Sequence, residues 1–173
     1  MNFEIDQKKN ADKDHIFAQV KEQLDNLGLR IAESDKSRPW GGFYVIDESQ
    51  SADFIQKFLS DVPEANTGEY GKISPKILIV QSGKRLSWQY HHRRAEVWKV
   101  IAGEAAVVIS DDDKQTPVQT KVKGDVIVLK QGQRHRLIGT DQWGIIAEIW
   151  QHTVAGQPSD EDDIVRVEDD FGR

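Results

Sequence analysis

The side chains most able to do chemistry lie in two segments. The first runs Gly83-Lys84-Arg85-Leu86-Ser87-Trp88-Gln89-Tyr90-His91-His92-Arg93-Arg94-Ala95-Glu96-Val97-Trp98 and is followed by Gly103. The second runs from Gly124 through Gly132 to Arg134-His135. Side chains alternate faces along a strand, so Gln89 and His91 point the same way. The next strand carries Glu96 and can bring it alongside them. If strands over 86–90 and 134–139 are neighbours in one barrel, His135 joins the group. An amide oxygen, two imidazoles and a carboxylate make a competent site for one divalent metal ion. Imidazole suits zinc, nickel, cobalt and iron, and the oxygen donors extend the range to manganese. Water or a substrate oxygen would fill the remaining positions, and an open position separates a catalytic metal from a structural one. Taken singly, these residues have commoner roles. A lone strand histidine is usually a surface or satisfied core group, Arg93-Arg94 a solvated charge pair, and Gly103, Gly124 and Gly132 turn residues. His92 alternates away from His91, toward solvent.

The elements that must carry these side chains read as short strands. Val/Ile/Trp-rich runs broken by Gly, Asp and Lys predict strands near 42–47, 76–81, 86–90, 95–102, 105–110, 118–122, 125–130, 134–139 and 143–151. With no helix between them they indicate an antiparallel sandwich or barrel, not βαβ units. Gly103-Glu104 reads as a tight hairpin, and Asp111 to Lys114 as a second turn. Before the strands, Ile16, Val20, Leu24 and Leu27 mark one face of an amphipathic helix, with Asp12 and Asp14 at its start and Gly28 as its stop. A shorter helix is expected around Phe54, Ile55, Phe58 and Leu59, ending by Pro63. The acidic tail from Ser159 to Asp170 contains Ile164, Val165 and Val167, and part of it is expected to dock as an edge strand.

Composition narrows the class. With 173 residues the default is one domain. Twenty-three Lys and Arg against 29 Asp and Glu give a net charge of −6, which argues against a nucleic-acid partner. That charge does not exclude a small anionic ligand, because a few local charges hold a phosphate. No apolar run is long enough to span a bilayer, so no membrane partner is expected. The N-terminus lacks a secretory pattern, and cysteine is absent. A cytoplasmic setting follows as an expectation.

The spacing Gly83-(five)-Gln89-x-His91-(four)-Glu96-(six)-Gly103, followed by Gly124-(seven)-Gly132-(two)-His135, resembles the two cupin motifs. Gln89 replaces the usual first His, Lys130 the usual Pro, and Gly139 the terminal Asn. The flanks narrow the match. Arg38-Pro39-Trp40-Gly41, Leu86 to His92, Arg94-Ala95-Glu96-Val97-Trp98 and the tail Glu161 to Arg173 resemble the isomerase domain of type II phosphomannose isomerases. This covers about 38–173, with an apparent insertion near 49–72. Residues 1–37 are read as an N-terminal extension with one amphipathic helix.

The resemblance implies an all-β cupin fold, a double-stranded β-helix or jelly-roll barrel with short N-terminal helices. It implies metal-dependent interconversion of mannose 6-phosphate and fructose 6-phosphate through an enediolate. The family often carries a guanylyltransferase portion ahead of this domain. Thirty-seven residues cannot hold one, so only isomerisation is expected here. The implied metal ligands are Gln89, His91, Glu96 and His135, with zinc the favoured ion and manganese, cobalt, nickel or iron as alternatives. Arg94 is expected to add positive charge beside the enediolate. Glu148 is the candidate base if it faces inward; an outward position on its alternating strand is the other reading. His92 is a weaker candidate base. The phosphate candidates are Lys84, Arg85, Arg134, Arg136 and Arg166, with Arg85 favoured and Lys84 and Arg136 beside it. Trp88, Tyr90 and Trp98 are candidates for a sugar pocket or for the core. A homodimer is expected. Two departures from the family pattern stand out: Arg93 and Val97 each replace a histidine. They support a non-catalytic sugar-phosphate binder as one rival. Another metal-dependent dioxygenase or epimerase on the same barrel is the second.

Overall fold

A computed structural model of the chain describes residues 2–66 and 72–173. Residues 67–71, within the stretch expected as an insertion, lie outside the described residues. The first helix, α1 (Lys13–Asn26), starts where the Asp12 carboxylate accepts from the His15 amide. It buries Ile16, Phe17, Val20 and Leu24, the spacing seen in the sequence. It ends before Gly28, whose φ of +71° suits a residue without Cβ. The second, α2 (Ser51–Phe58), buries Phe54, Ile55 and Phe58.

The described residues form nine strands in this order: β1 (Ile31–Asp35), β2 (Gly41–Ile46), β3 (Ile73–Val80), β4 (Trp88–Tyr90), β5 (Arg94–Ser110), β6 (Gln119–Val122), β7 (Val126–Leu129), β8 (Arg134–His152) and β9 (Val165–Glu168). All the pairings are antiparallel. The long strands β5 and β8 pair along their whole length, from Arg94 opposite His152 to Ser110 opposite Arg134. Their first-half and second-half neighbours differ. One sheet runs β1-β2-β3, then the C-terminal half of β8, the N-terminal half of β5 and β7. The other runs β9-β4, then the remaining halves of β8 and β5, and β6. The bent ribbon therefore joins two facing sheets.

The hairpin expected at Gly103-Glu104 does not form. The run 95–110 is one strand, and 134–151 likewise lies within one strand. The pairing register shifts on either side of Gly103, whose φ is +68°. A Cβ there would lie 1.8 Å from the Trp143 carbonyl oxygen. The glycine bends the strand at a bulge instead of reversing it. The tail does dock as a strand, with β9 pairing β4. Strand β1 was not expected from the sequence; its exposed Ala32, Glu33 and Ser34 carry no apolar alternation.

Two apolar clusters result. Trp98, Val100, Leu78, Leu137 and Ile146 fill the space between the sheets. Ile77, Ile79, Val97, Ala147 and Ile149 pack on the other side, under α1 and α2. The central strands of the larger sheet, β3 with the adjoining halves of β8 and β5, are thus buried on both faces. None of the described helices is long and apolar enough to cross a membrane.

Candidate metal centre

Strand β4 and the turn after it supply Gln89 and His91; β5 begins with Arg94 and Glu96, and β8 begins beside His135. Gln89 sits directly opposite His135 across the β4–β8 pair, so the segments expected to be neighbours are neighbours. His91, Glu96 and His135 are buried, and their candidate ligand atoms lie within 4.8 Å of one another. His91 Nε2 is 3.3 Å from Glu96 Oε1, and His135 Nε2 is 3.5 Å from Glu96 Oε2.

Both imidazoles face the carboxylate through Nε2 because Nδ1 is engaged elsewhere. His91 Nδ1 meets the Asp163 carbonyl at 2.6 Å, and His135 Nδ1 meets the Gln133 carbonyl at 3.0 Å. A carbonyl only accepts, so each ring carries its proton on Nδ1 and keeps an Nε2 lone pair. Burial drives the His91 pKa down to about 3 despite Glu96, and burial lowers His135 too. Both rings are neutral at pH 7, as ligation requires. Burial acts to raise the Glu96 carboxyl, but the charge of the Arg94 guanidinium, which also donates to it, outweighs burial and keeps the group ionised.

These donors fit a divalent cation. Arg94 donates from Nε to Glu96 Oε1 at 2.7 Å, and its Nη2 lies 3.1 Å from His91 Nε2. The remaining donors, Glu96 Oε2 and His135 Nε2, are buried with no hydrogen-bond partner among the described residues. Such orphaned atoms are costly unless a cation meets them. Gln89 stands beside them, its Nε2 at 3.4 Å from His91 Nε2 and its Oε1 at 2.5 Å from the Ser87 hydroxyl. A half-turn of the amide exchanges O and N, and Ser87 tolerates it because a hydroxyl donates or accepts.

The cluster adjoins a cavity of about 90 Å³. Gln89, Arg94, Glu96 and Glu148 line it, with Trp98 and Trp150 among its aromatic walls. Glu148 faces inward: it is buried opposite Trp98, whose Nε1 donates to it at 2.9 Å. Glu96 lies opposite Trp150, so the two carboxyls are diagonal neighbours on one face. Burial and the Glu96 charge push Glu148 up to about 8, even with Lys76 and Arg94 nearby.

The structure does not bring Lys84, Arg85 and Arg136 to this cavity. Lys84 is exposed in the turn before β4. Arg85 is ion-paired with Asp170 on the surface. Arg136 is buried on the other face of β8, 3.2 Å from Glu168, because its neighbour His135 faces in. Arg134 stacks on Tyr90 on that outer side, and Trp88 donates to the Asp113 carbonyl. His92 is exposed. The cations that do line the cavity, besides Arg94, are Arg38, Lys76, Arg166 and Arg173. Sequence reasoning missed Lys76, although a lone lysine in the apolar run Ile73–Val80 marks a strand position needing a polar partner. Nothing in the sequence could have marked Asp163, which acts on His91 through its main chain.

Val97 is fully buried beneath the helices, on the face of β5 opposite to Glu96 and Trp98. A side chain at 97 in this chain therefore does not reach the cavity. Arg93 is tied to the tail by Asp160.

Comparison with known proteins gives a consistent picture. The profile of the family described as Mannose-6-phosphate isomerase C-terminal matches residues 29–169. The alginate biosynthesis protein AlgA of Pseudomonas aeruginosa is 31% identical over 94% of this chain and 29% of its own length. A mannose-1-phosphate guanylyltransferase, ManC, of Salmonella typhimurium is 30% identical over 79% of this chain and 22% of its own. The chain thus spans about a quarter of the length of the curated relatives it matches. Among solved structures, a Bacillus subtilis oxalate decarboxylase aligns with a TM-score of 0.53 at 12% identity, covering 78% of this chain and 30% of that one. Tomato vicilin aligns with a TM-score of 0.53 at 16% identity, covering 83% and 36%. Likeness at this level shows the fold, a cupin β-barrel, and nothing finer.

Proposed function

The chain belongs to the mannose-6-phosphate isomerase C-terminal family, and from that premise we propose that it interconverts mannose 6-phosphate and fructose 6-phosphate. One observation carries the reading: a metal-competent cluster and an inward carboxyl, Glu148, adjoin one cavity that also contains Arg94. An aldose–ketose isomerisation moves a proton between C2 and C1 through an enediolate. It needs a proton carrier with a pKa near the working pH and positive charge beside the developing oxyanion.

Glu148 supplies the carrier. Its ionised form takes the C2 proton and, as the acid, returns it to C1, while the hydroxyl proton of the aldehydic partner is exchanged between O1 and O2. Arg94 places a guanidinium against the same space, held over the Trp150 ring at 3.6 Å from its centroid. Gln89, His91, Glu96 and His135 would hold one divalent ion, for which we favour zinc. When bound, that ion supplies Lewis acidity to the substrate oxygens. Trp98 and Trp150 add aromatic walls to the cavity.

A coupled assay with mannose 6-phosphate, run before and after chelation, tests this. Metal-dependent formation of fructose 6-phosphate is the expected result. Tight sugar-phosphate binding with no turnover at any metal loading would replace the enzyme reading with that of a binding module.

A further inference from the structure

The cations around the cavity are not equivalent. Arg94 is paired with Glu96, Lys76 with Glu161, Arg38 with Asp35 and Arg173 with Asp169. Arg166 alone among these lining cations has no partner: its guanidinium makes no hydrogen bond or ion pair to any described residue, and its Nε is buried. It is nonetheless crowded by like charge. Burial lowers its pKa, and the neighbouring charges of Arg173 and Arg38 lower it further, against Asp169 and Glu161. An unpaired, partly desolvated guanidinium with two more beside it, all lining one cavity, is an arrangement that an anion completes.

Its place in the sheet gives a ruler. Arg166 on β9 lies opposite Gln89 on β4, and Gln89 lies opposite His135 on β8. The three residues form one row across adjacent strands, from the lone cation to the metal cluster. Two strand spacings are about 9–10 Å, the reach of an open-chain hexose from its carbonyl end to a phosphate on its far end. We propose that Arg166, flanked by Arg38 and Arg173, is the subsite for the phosphate of a sugar phosphomonoester, with the carbonyl end of the sugar lying toward Glu96 and Glu148. This rests on the isomerase reading for the identity of the sugar, but the anion site stands on its own geometry. It also moves the phosphate from the outer face, where Lys84, Arg85 and Arg136 lie, to the inner one. The tail segment 159–173 then supplies both the cation and part of the wall, through Glu161, Ile164 and Arg166.

The test uses two probes on the metal-loaded full chain: inorganic phosphate by calorimetric titration, and mannose 6-phosphate by steady-state kinetics. Arg166→Gln is expected to weaken phosphate binding, and to raise KM, by about 10- to 100-fold, the loss of a charge-assisted contact. The change in kcat should be much smaller. Arg173→Gln, at an exposed position, should weaken both less and guards against misfolding of the first variant. Lys84→Gln should change neither. Phosphate binding lost in Arg166→Gln, in a chain without turnover, would uphold the subsite and sink the isomerase reading. Turnover with an unchanged KM in Arg166→Gln would do the reverse. A wild-type chain that binds no phosphate overturns the proposal outright.

Discussion

His91 donates its Nδ1–H to the main-chain carbonyl of Asp163, 72 residues further along the chain. The Asp163 carboxylate meanwhile accepts from the amides of His92 and Arg93 at 2.9 and 3.0 Å and from the Ser159 hydroxyl at 2.6 Å. One tail residue therefore sets the orientation of a metal-competent imidazole and the shape of the turn that bears it. Asp163→Ala leaves the carbonyl but frees the backbone that aims it. Outer contacts of this kind are worth about 10- to 100-fold in metal affinity, so zinc should bind that much more weakly. Competition with a chromogenic chelator measures it, and an unchanged affinity would show the tail to be dispensable to the cluster.

Metal should also stabilise the fold. At a free concentration 100 times Kd, an ion bound only by the native state adds about 2.7 kcal/mol. For a chain of this size that raises Tm by about 5–10 °C. His135→Ala should abolish both the shift and turnover, read by thermal melts with and without zinc.

Glu148, the proposed proton carrier, costs the fold stability at neutral pH. Its carboxyl is raised to about 8 in the fold from 4.5 in the open chain. The raised pKa favours folding below about pH 4.5, and that contribution is lost as pH climbs through 8. Glu148→Gln should therefore eliminate isomerisation while raising Tm at neutral pH. The gain in Tm should shrink toward zero on acidification to pH 4. A variant that loses activity and is also less stable at pH 7 would contradict the buried-carboxyl account.

Acid should loosen the tail from the other side. His152 accepts from the Ser159 amide at 2.8 Å and contacts the Ser74 hydroxyl at 2.8 Å. Burial, helped by Lys72, lowers its pKa below the usual 6.5. A depressed histidine contributes stability above its unfolded pKa and loses it as pH falls through the folded value. Tm should thus decline below about pH 6.5, with faster proteolytic cleavage in 153–160 at pH 5 than at pH 7.5. A flat profile across that window would exclude this role for His152.

Gly103→Ala should unfold or severely weaken the protein. Its new methyl would collide with the Trp143 carbonyl on a backbone of positive φ. The expected loss is on the order of 3 kcal/mol or more, measurable by urea titration. The same glycine shows where sequence reasoning stopped. Alternation and turn residues revealed the strands, and the motif spacing was enough to place Gln89, His91, Glu96 and His135 in one cluster. A glycine within a strand looks like one between two strands until the partner strand is known, so one bent ribbon was read as four pieces. The cations Arg38, Lys76 and Arg173 were invisible for a related reason. They come from segments far apart in the chain, and only the sheet order gathers them.

The bent ribbon of β5 and β8 has a mechanical corollary. Glu96, His135 and Glu148 all ride on it, with no loop intervening between any of them and the ladder. Their mutual spacing is set by the register of that ladder. The segment 159–173 is one of the walls built separately from that ribbon, so removing the tail would breach the chamber on one side and leave the anvil beneath it in place.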